Sequence, residues 1–151
     1  MIASTVPRVL SYLVDVLSSA LPNVEVSDGQ VIPPKDVEPL ILCIGFSGDP
    51  GEPVVENTRT VVQMTTDPKR ESYGITCLAS SWRGNETDAK VVREETYEIL
   101  NDVSGILSRD HTLGGLVMMS RIHTDSFAQA QTNMGAVASI RFVIHIDAMT
   151  R

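Results

Sequence analysis

Apolar side chains recur along this chain with two periods, and the switches between them mark out helices and strands. Near the start, Val6, Leu10, Leu13, Leu17 and Leu21 fall three and four residues apart, one face of a helix predicted over residues 5–21. Ser4 or Thr5 can cap it, Pro7 sits in the first turn where no N–H is needed, and Pro22-Asn23 ends it. Val24-Glu25-Val26 then alternates as a short strand into an Asp28-Gly29 turn. Pro33, Pro34 and Pro39 hold the next connection extended, and the apolar run 40–46 is too short for a helix, so it predicts a buried strand.

Residues 47–58, with Gly48, Asp49, Pro50, Gly51, Glu52 and Pro53 crowded together, predict a surface loop. Strands are expected over 61–66 and 73–82, joined across Asp67-Pro68-Lys69-Arg70. Trp82, at a strand end, is expected to anchor the core. A second helix follows, capped by Asn85 or Thr87, with Glu86 and Asp88 at its positive end. Its apolar stripe is Ala89, Val92, Thr96, Ile99, Val103 and Ile106, thickened by Leu100 and Leu107, where it stops. Ala136, Ala138, Ile140, Phe142, Ile144 and Ile146 then alternate with polar or smaller neighbours, the period of a half-buried strand. Leu116, Met118 and Ile122 mark its partner, with Asn133-Met134-Gly135 as the turn. The order αβββ(β)αββ predicts an α+β fold in one domain over residues 1–151, two helices lying on one face of an antiparallel or mixed sheet.

Composition narrows the function. With 151 residues the chain can bury a real core, and no apolar run approaches the roughly 20 residues of a membrane-spanning helix. Pro7 and Asp15 spoil a signal-peptide pattern around Arg8, so the protein is expected in the cytosol where it is made. Cys43 and Cys77 sit in strand-like runs and form neither a disulfide framework nor a zinc site. The net charge of −7, the scattered basic residues and 5% aromatics argue against tight nucleic-acid binding. An acidic wall suits a conduit past which DNA slides without sticking.

Three constellations bear on chemistry. Gly45-Phe46-Ser47-Gly48-Asp49 fails as a nucleophile elbow, because Asp49 stands where that motif needs glycine. The repeated His-x-Asp pairs, His123/Asp125 and His145/Asp147, fall on neighbouring strands and are the candidate ligands for a divalent metal. The competing reading is a solvated face on which they pair with Arg121 and Arg141. Arg93-Glu94-Glu95 and Glu98 lie off the helical stripe with no apolar pocket to raise a pKa. Dinucleotide, P-loop and zinc-finger spacings are absent, and neither a catalytic residue nor a cofactor is expected.

The chain also resembles a known family. Helix one, the strand and turn over 24–29, Ser80-Ser81-Trp82-Arg83-Gly84 before a capped helix, and the corner Asp110-His111-Thr112-Leu113-Gly114-Gly115 look, in order, like siphophage tail terminators. The 131–146 segment with its Gly135-Ala136 start completes the likeness. The resemblance implies a non-enzymatic virion protein of the tail or neck, assembled in the bacterial host cytoplasm. Its subunits would form a hexameric ring that ends polymerisation of the tail tube protein and offers a surface to the head's connector or stopper. DNA would pass through unbound, and no membrane is involved. Gly48, Asp49, Pro50, Gly51 and Glu52 of the loop, with Arg121 and Arg141, are the candidate interface residues, and deleting 48–56 is expected to spare folding but damage assembly. Alternatives are another neck, head-closure or minor tail protein, or a small metal-dependent enzyme or ligand-binding domain built on the His-x-Asp face.

Overall fold

The computed structural model describes residues 3–30, 40–61, 69–85 and 87–150; the Pro33–Pro39 connection, the 62–66 part of the expected strand, and Glu86 lie outside them. The elements are α1 (Val6–Ala20), β1 (Glu25–Asp28), β2 (Leu40–Ile44), β3 (Val55–Val61), β4 (Lys69–Arg83), α2 (Ala89–Arg109), β5 (Met119–Thr132) and β6 (Gly135–Thr150). Six strands form one sheet in the order β1-β2-β4-β6-β5, with β3 also paired to β4. β1 runs parallel to β2 and every other pairing is antiparallel. The fold is α+β, with both helices on one side of the sheet.

Alternation along β4 and β6 dictates that arrangement. Tyr73, Ile75, Cys77 and Ala79 of β4 and Ile140, Phe142, Ile144 and Ile146 of β6 point the same way and are buried. Val9, Leu13 and Leu17 of α1 and Ile99, Val103 and Leu107 of α2 close over them. Each fully buried side chain of this size contributes roughly 1.5–3 kcal/mol, so the helices are held mainly by this shared layer. β4 and β6 pair from Lys69↔Thr150 to Arg83↔Ala136, which makes the sheet's centre about 50 Å long.

β2 and β3 are two limbs of one interrupted strand. Leu40 to Ile44 pair with Ser81 to Cys77, and Val55 to Val61 continue down the same side of β4 from Ile75 to Lys69. Between them, opposite Thr76 alone, the chain leaves the sheet for residues 45–54. The predicted loop therefore shortens at its far end, because residues 55–58 pair in β3. β4 likewise begins earlier than expected and takes in Lys69 and Arg70.

The helix ends depart from the expected caps. α2 begins at an Asp88 N-cap that makes no side-chain cap bond, while Asn85 Oδ1 accepts bonds from the Thr87 N–H (3.0 Å) and hydroxyl (2.9 Å) one step earlier. It runs past Leu107 to Arg109, whose cation suits the negative helix end. The N-cap of α1 is Thr5, but its hydroxyl turns to Glu71 of β4 instead of to the helix.

Two places demand unusual backbone. In the corner after α2, Leu113, Gly114 and Gly115 have φ of 50°, 66° and 89°, three successive left-handed residues. Leu113 bears this at a cost on the order of 1–2 kcal/mol while its side chain enters the core. The corner is fastened to α1: Asp110 accepts the Tyr12 hydroxyl (2.5 Å) and the Gly114 N–H (2.9 Å). At the β5–β6 turn, a Cβ on Gly135 would stand 2.1 Å from the Arg83 carbonyl oxygen, so only glycine fits.

Candidate interaction surface

The same alternation that builds the core leaves the other side of the sheet without a covering layer of helices among the described residues. Arg70, Ser72, Gly74, Thr76, Leu78, Ser80 and Trp82 of β4 face away from the helices, as do Val137, Ser139, Arg141, Val143, His145, Asp147 and Met149 of β6. Trp82 therefore does not anchor the core; it is 54% exposed, beside Val137, on this open face. The signal was present in the sequence, since odd-numbered Tyr73, Ile75, Cys77 and Ala79 fix the inward parity and 82 is even.

The excursion 45–54 rests on the open face. A Cβ on Gly48 would lie 3.6 Å from Leu78 Cδ2. Arg141 Nε donates to the Ser47 carbonyl oxygen (2.9 Å), and its Nη1 lies 3.8 Å from Glu52 Oε1. Ser47 is buried, its hydroxyl donates to Glu52 Oε2 (2.9 Å), and the Asp49 N–H donates back to it (3.2 Å). The loop is thus pinned at its base, while Gly48, Asp49, Pro50, Gly51 and Glu52 are exposed. Of the candidate interface residues, Glu52 and Arg141 meet; Arg121 stands apart, in register with His145.

The four metal-ligand candidates are not brought together. A β-bulge in β5 between Ile122 and Thr124 reverses the parity that the His-x-Asp spacing assumes. Arg121 pairs with His145 on the open face, but Asp125 pairs with Phe142 and belongs to the helix side. His123 still reaches His145, with ring centroids 5.8 Å apart. Among the described residues no three His, Cys, Asp or Glu side chains are grouped to hold a metal ion.

What forms instead is a polar cluster. Asp147 lies 3.5 Å from both His145 Nε2 and Arg70 Nη2, and Ser72 Oγ lies 3.3 Å from the same His145 Nε2. Serine, histidine and aspartate are all present, yet both contacts converge on one ring nitrogen. A proton relay needs serine on one nitrogen and the carboxylate on the other, so this arrangement does not activate Ser72.

No protein-family model matches the chain, and no curated protein does.

Sequence reasoning missed the chain's one fully buried carboxylate network among the described residues. Glu71 accepts from the Ser4 hydroxyl (2.6 Å), the Thr5 N–H (2.7 Å), the Thr5 hydroxyl (2.9 Å) and the Asn57 amide. Burial pushes its carboxyl up, but these bonds outweigh burial and hold it below the usual glutamate value. The usable signal was a charge at an inward position of a strand, two residues before Tyr73. Asp110 is also held low, chiefly by the Tyr12 hydroxyl and then by the Gly114 N–H. Glu71 fastens the N-terminal segment to the sheet, and Asp110 ties the corner after α2 to α1.

Two further features complete the surface. β5 is an edge strand of 14 residues with no outer strand partner among the described residues, and β1 and β3 form the opposite, equally free edge. A cleft of about 230 Å³ near that second edge is lined by Leu21, Val24, Leu40 and Ile99 together with Glu95, Glu98 and Asp102. No helix among the described residues is long and apolar enough to cross a membrane.

Proposed function

We propose that this chain is a structural subunit of a phage tail: a terminator that closes the finished tail tube as a ring and offers a joining surface to the head. The observation that carries the reading is a long sheet with both edges, and one face apart from the 45–54 excursion, left without partners among the described residues. Such surface is what an assembly subunit keeps for its neighbours. The resemblance to siphophage terminators runs through α1, the corner after α2 and three segments of this sheet, in β1, at the end of β4 and in β6. The interrupted strand adds a second support, because residues 45–54 form an excursion that the sheet does not need and that is held out on the open face. A net charge of −7 would keep passing DNA off the walls. On this reading the protein is not an enzyme and works in the virion neck after assembly in the host cytoplasm.

The test is to mix the purified protein with tail tubes of its own virion that lack a terminator. Tubes should stop elongating, acquire a cap visible by electron microscopy, and become competent to join heads. A protein that leaves tube growth unchanged but binds the isolated head connector belongs instead to head closure. Binding to neither sinks the reading. A ring of six 16.4 kDa subunits should appear at about 98 kDa in native mass spectrometry, in solution or on release from tubes.

A further inference from the structure

We propose that successive copies join head to tail, the β5 edge of one subunit lying antiparallel beside the β1/β3 edge of the next. The inference rests on the ring reading above and names the surfaces through which the ring closes.

Strand direction is the first argument. β5 is antiparallel to β6, β6 to β4, and β4 to both β2 and β3, while β1 follows β2. β5 therefore runs opposite to the whole of the other edge. When neighbours are related by rotation about an axis along the strands, β5 meets β1/β3 antiparallel, which is the stronger kind of pairing. The sheet's own twist supplies the turn from one copy to the next.

β5 is, secondly, guarded only near its start, by the bulge at His123 and the charges of Arg121 and Asp125. Soluble proteins blunt a free edge with lysine, proline, a short strand or a bulge. Beyond the bulge at His123, β5 continues for nine residues, Thr124-Asp125-Ser126-Phe127-Ala128-Gln129-Ala130-Gln131-Thr132, containing neither lysine nor proline. Thr124, Ser126, Ala128 and Ala130 give its open-face side small residues that leave room for an adjoining strand.

Charge distinguishes this pairing from a two-fold one. The β5 side of the molecule carries Arg121 on the strand and Arg93 of α2, whose Nε bonds the Gln129 side chain (3.2 Å), with Asp125 as the acid between them. The opposite side carries Glu25 and Asp28 of β1, Glu56 of β3, and Glu98 and Asp102 of α2 in the nearby cleft, with Arg59 of β3 and Arg109 as its bases. Head-to-tail contact brings the basic flank to the acidic one. A symmetric antiparallel β5–β5 contact sets Arg121 of one copy near Arg93 of the other, basic against basic.

The experiment uses two edge variants of the full chain. Ala128→Lys/Ala130→Lys blunts β5, and Ser27→Lys/Thr58→Lys blunts the other edge; thermal melts confirm that both fold. In native mass spectrometry across a concentration series, each variant alone should need at least tenfold more protein than wild type to associate. Mixed, they should form a 1:1 dimer of about 33 kDa and nothing larger, because each retains one sound edge and only a head-to-tail junction can use both. Amides 124–132 should be protected from hydrogen exchange in the wild-type assembly and open in the blunted variants.

Rings that ignore both pairs of substitutions overturn the edge assignment and leave the terminator reading intact. A dimer abolished by the β5 variant but untouched by the other means two-fold pairing and overturns it too. If the wild type is monomeric in solution, the same variants are read in the tail-capping assay, and normal capping by the β5 variant overturns the inference. Association through these edges by a protein that ignores tail tubes sinks the terminator reading alone.

Discussion

A carboxylate with no exposed surface persists in a core only when its oxygens are matched by donors, and Glu71 has four, from Ser4, Thr5 and Asn57. Because the bonds hold its folded pKa below the unfolded value, Glu71 stabilises the protein fully above that unfolded value. The contribution is lost as pH falls through the folded pKa. Glu71→Gln keeps the volume but turns an amide N–H₂ toward groups that are themselves donors. It should cost about 2 kcal/mol in a urea melt at pH 7. The gap from wild type should narrow as pH falls through the folded pKa, since the native carboxyl is then protonated as well. A gap that persists undiminished in acid would mean that the network acts through shape and not through charge. Asp110, held low by Tyr12 and Gly114, adds acid sensitivity of the same sign.

Between residues and the whole molecule stand the elements, and here the interrupted strand makes the sharpest prediction. Ile44 pairs with Cys77 and Val55 with Ile75, so one residue opposite Thr76 would suffice where the chain spends residues 45–54. Replacing that excursion by a single glycine should leave Tm unchanged or slightly higher, because a shorter closure loses less entropy, and should abolish tail capping. Retained capping by a folded variant would remove the loop from the interface. Deleting 48–56, by contrast, cuts Val55 and Glu56 out of β3 and should damage the sheet itself. This correction shows why part of the fold was legible and part was not. β6 alternates plainly because one of its faces is buried along its whole length. β3 carries Glu56, Asn57, Thr58, Arg59 and Thr60 at an edge, so no apolar period exists to separate it from a loop, and only its register with β4 makes it a strand. Lys69-Arg70 reads as the end of a turn because two charged residues after Asp67-Pro68 announce no strand. The bulge at His123 has no residue signature either, and it reverses the parity on which the four-ligand grouping depended.

At the scale of the whole molecule, the two flanks of the sheet carry opposite charge, and the ends of the open face carry apolar side chains. Trp82 and Met134 lie at one end, and Met119 and Met149 at the other. These make different demands on an assembly. If the flanks guide subunit to subunit, raising salt toward 1 M, where screening acts within about 3 Å, should shift the association midpoint to higher protein concentration. Association that is indifferent to salt or strengthened by it would assign the contact to the apolar ends instead. Apart from the charges that α2 lends to the flanks, the helices and the corner at Asp110 hold the sheet in one shape while its edges and open face meet other chains.

The two cysteines give this architecture a pair of internal clocks. Burial pushes the Cys77 thiol up to about 12, on the helix side of β4. Cys43, nearly as inaccessible, stands in register with Leu78, beneath the side of the sheet on which the excursion rests. An alkylating reagent should reach Cys43 through openings on the excursion's side of the sheet, but must wait for the helices to part from the sheet before it meets Cys77. The same molecule therefore times its shallow and its deep openings separately, on two sulfur atoms that face opposite sides of one sheet.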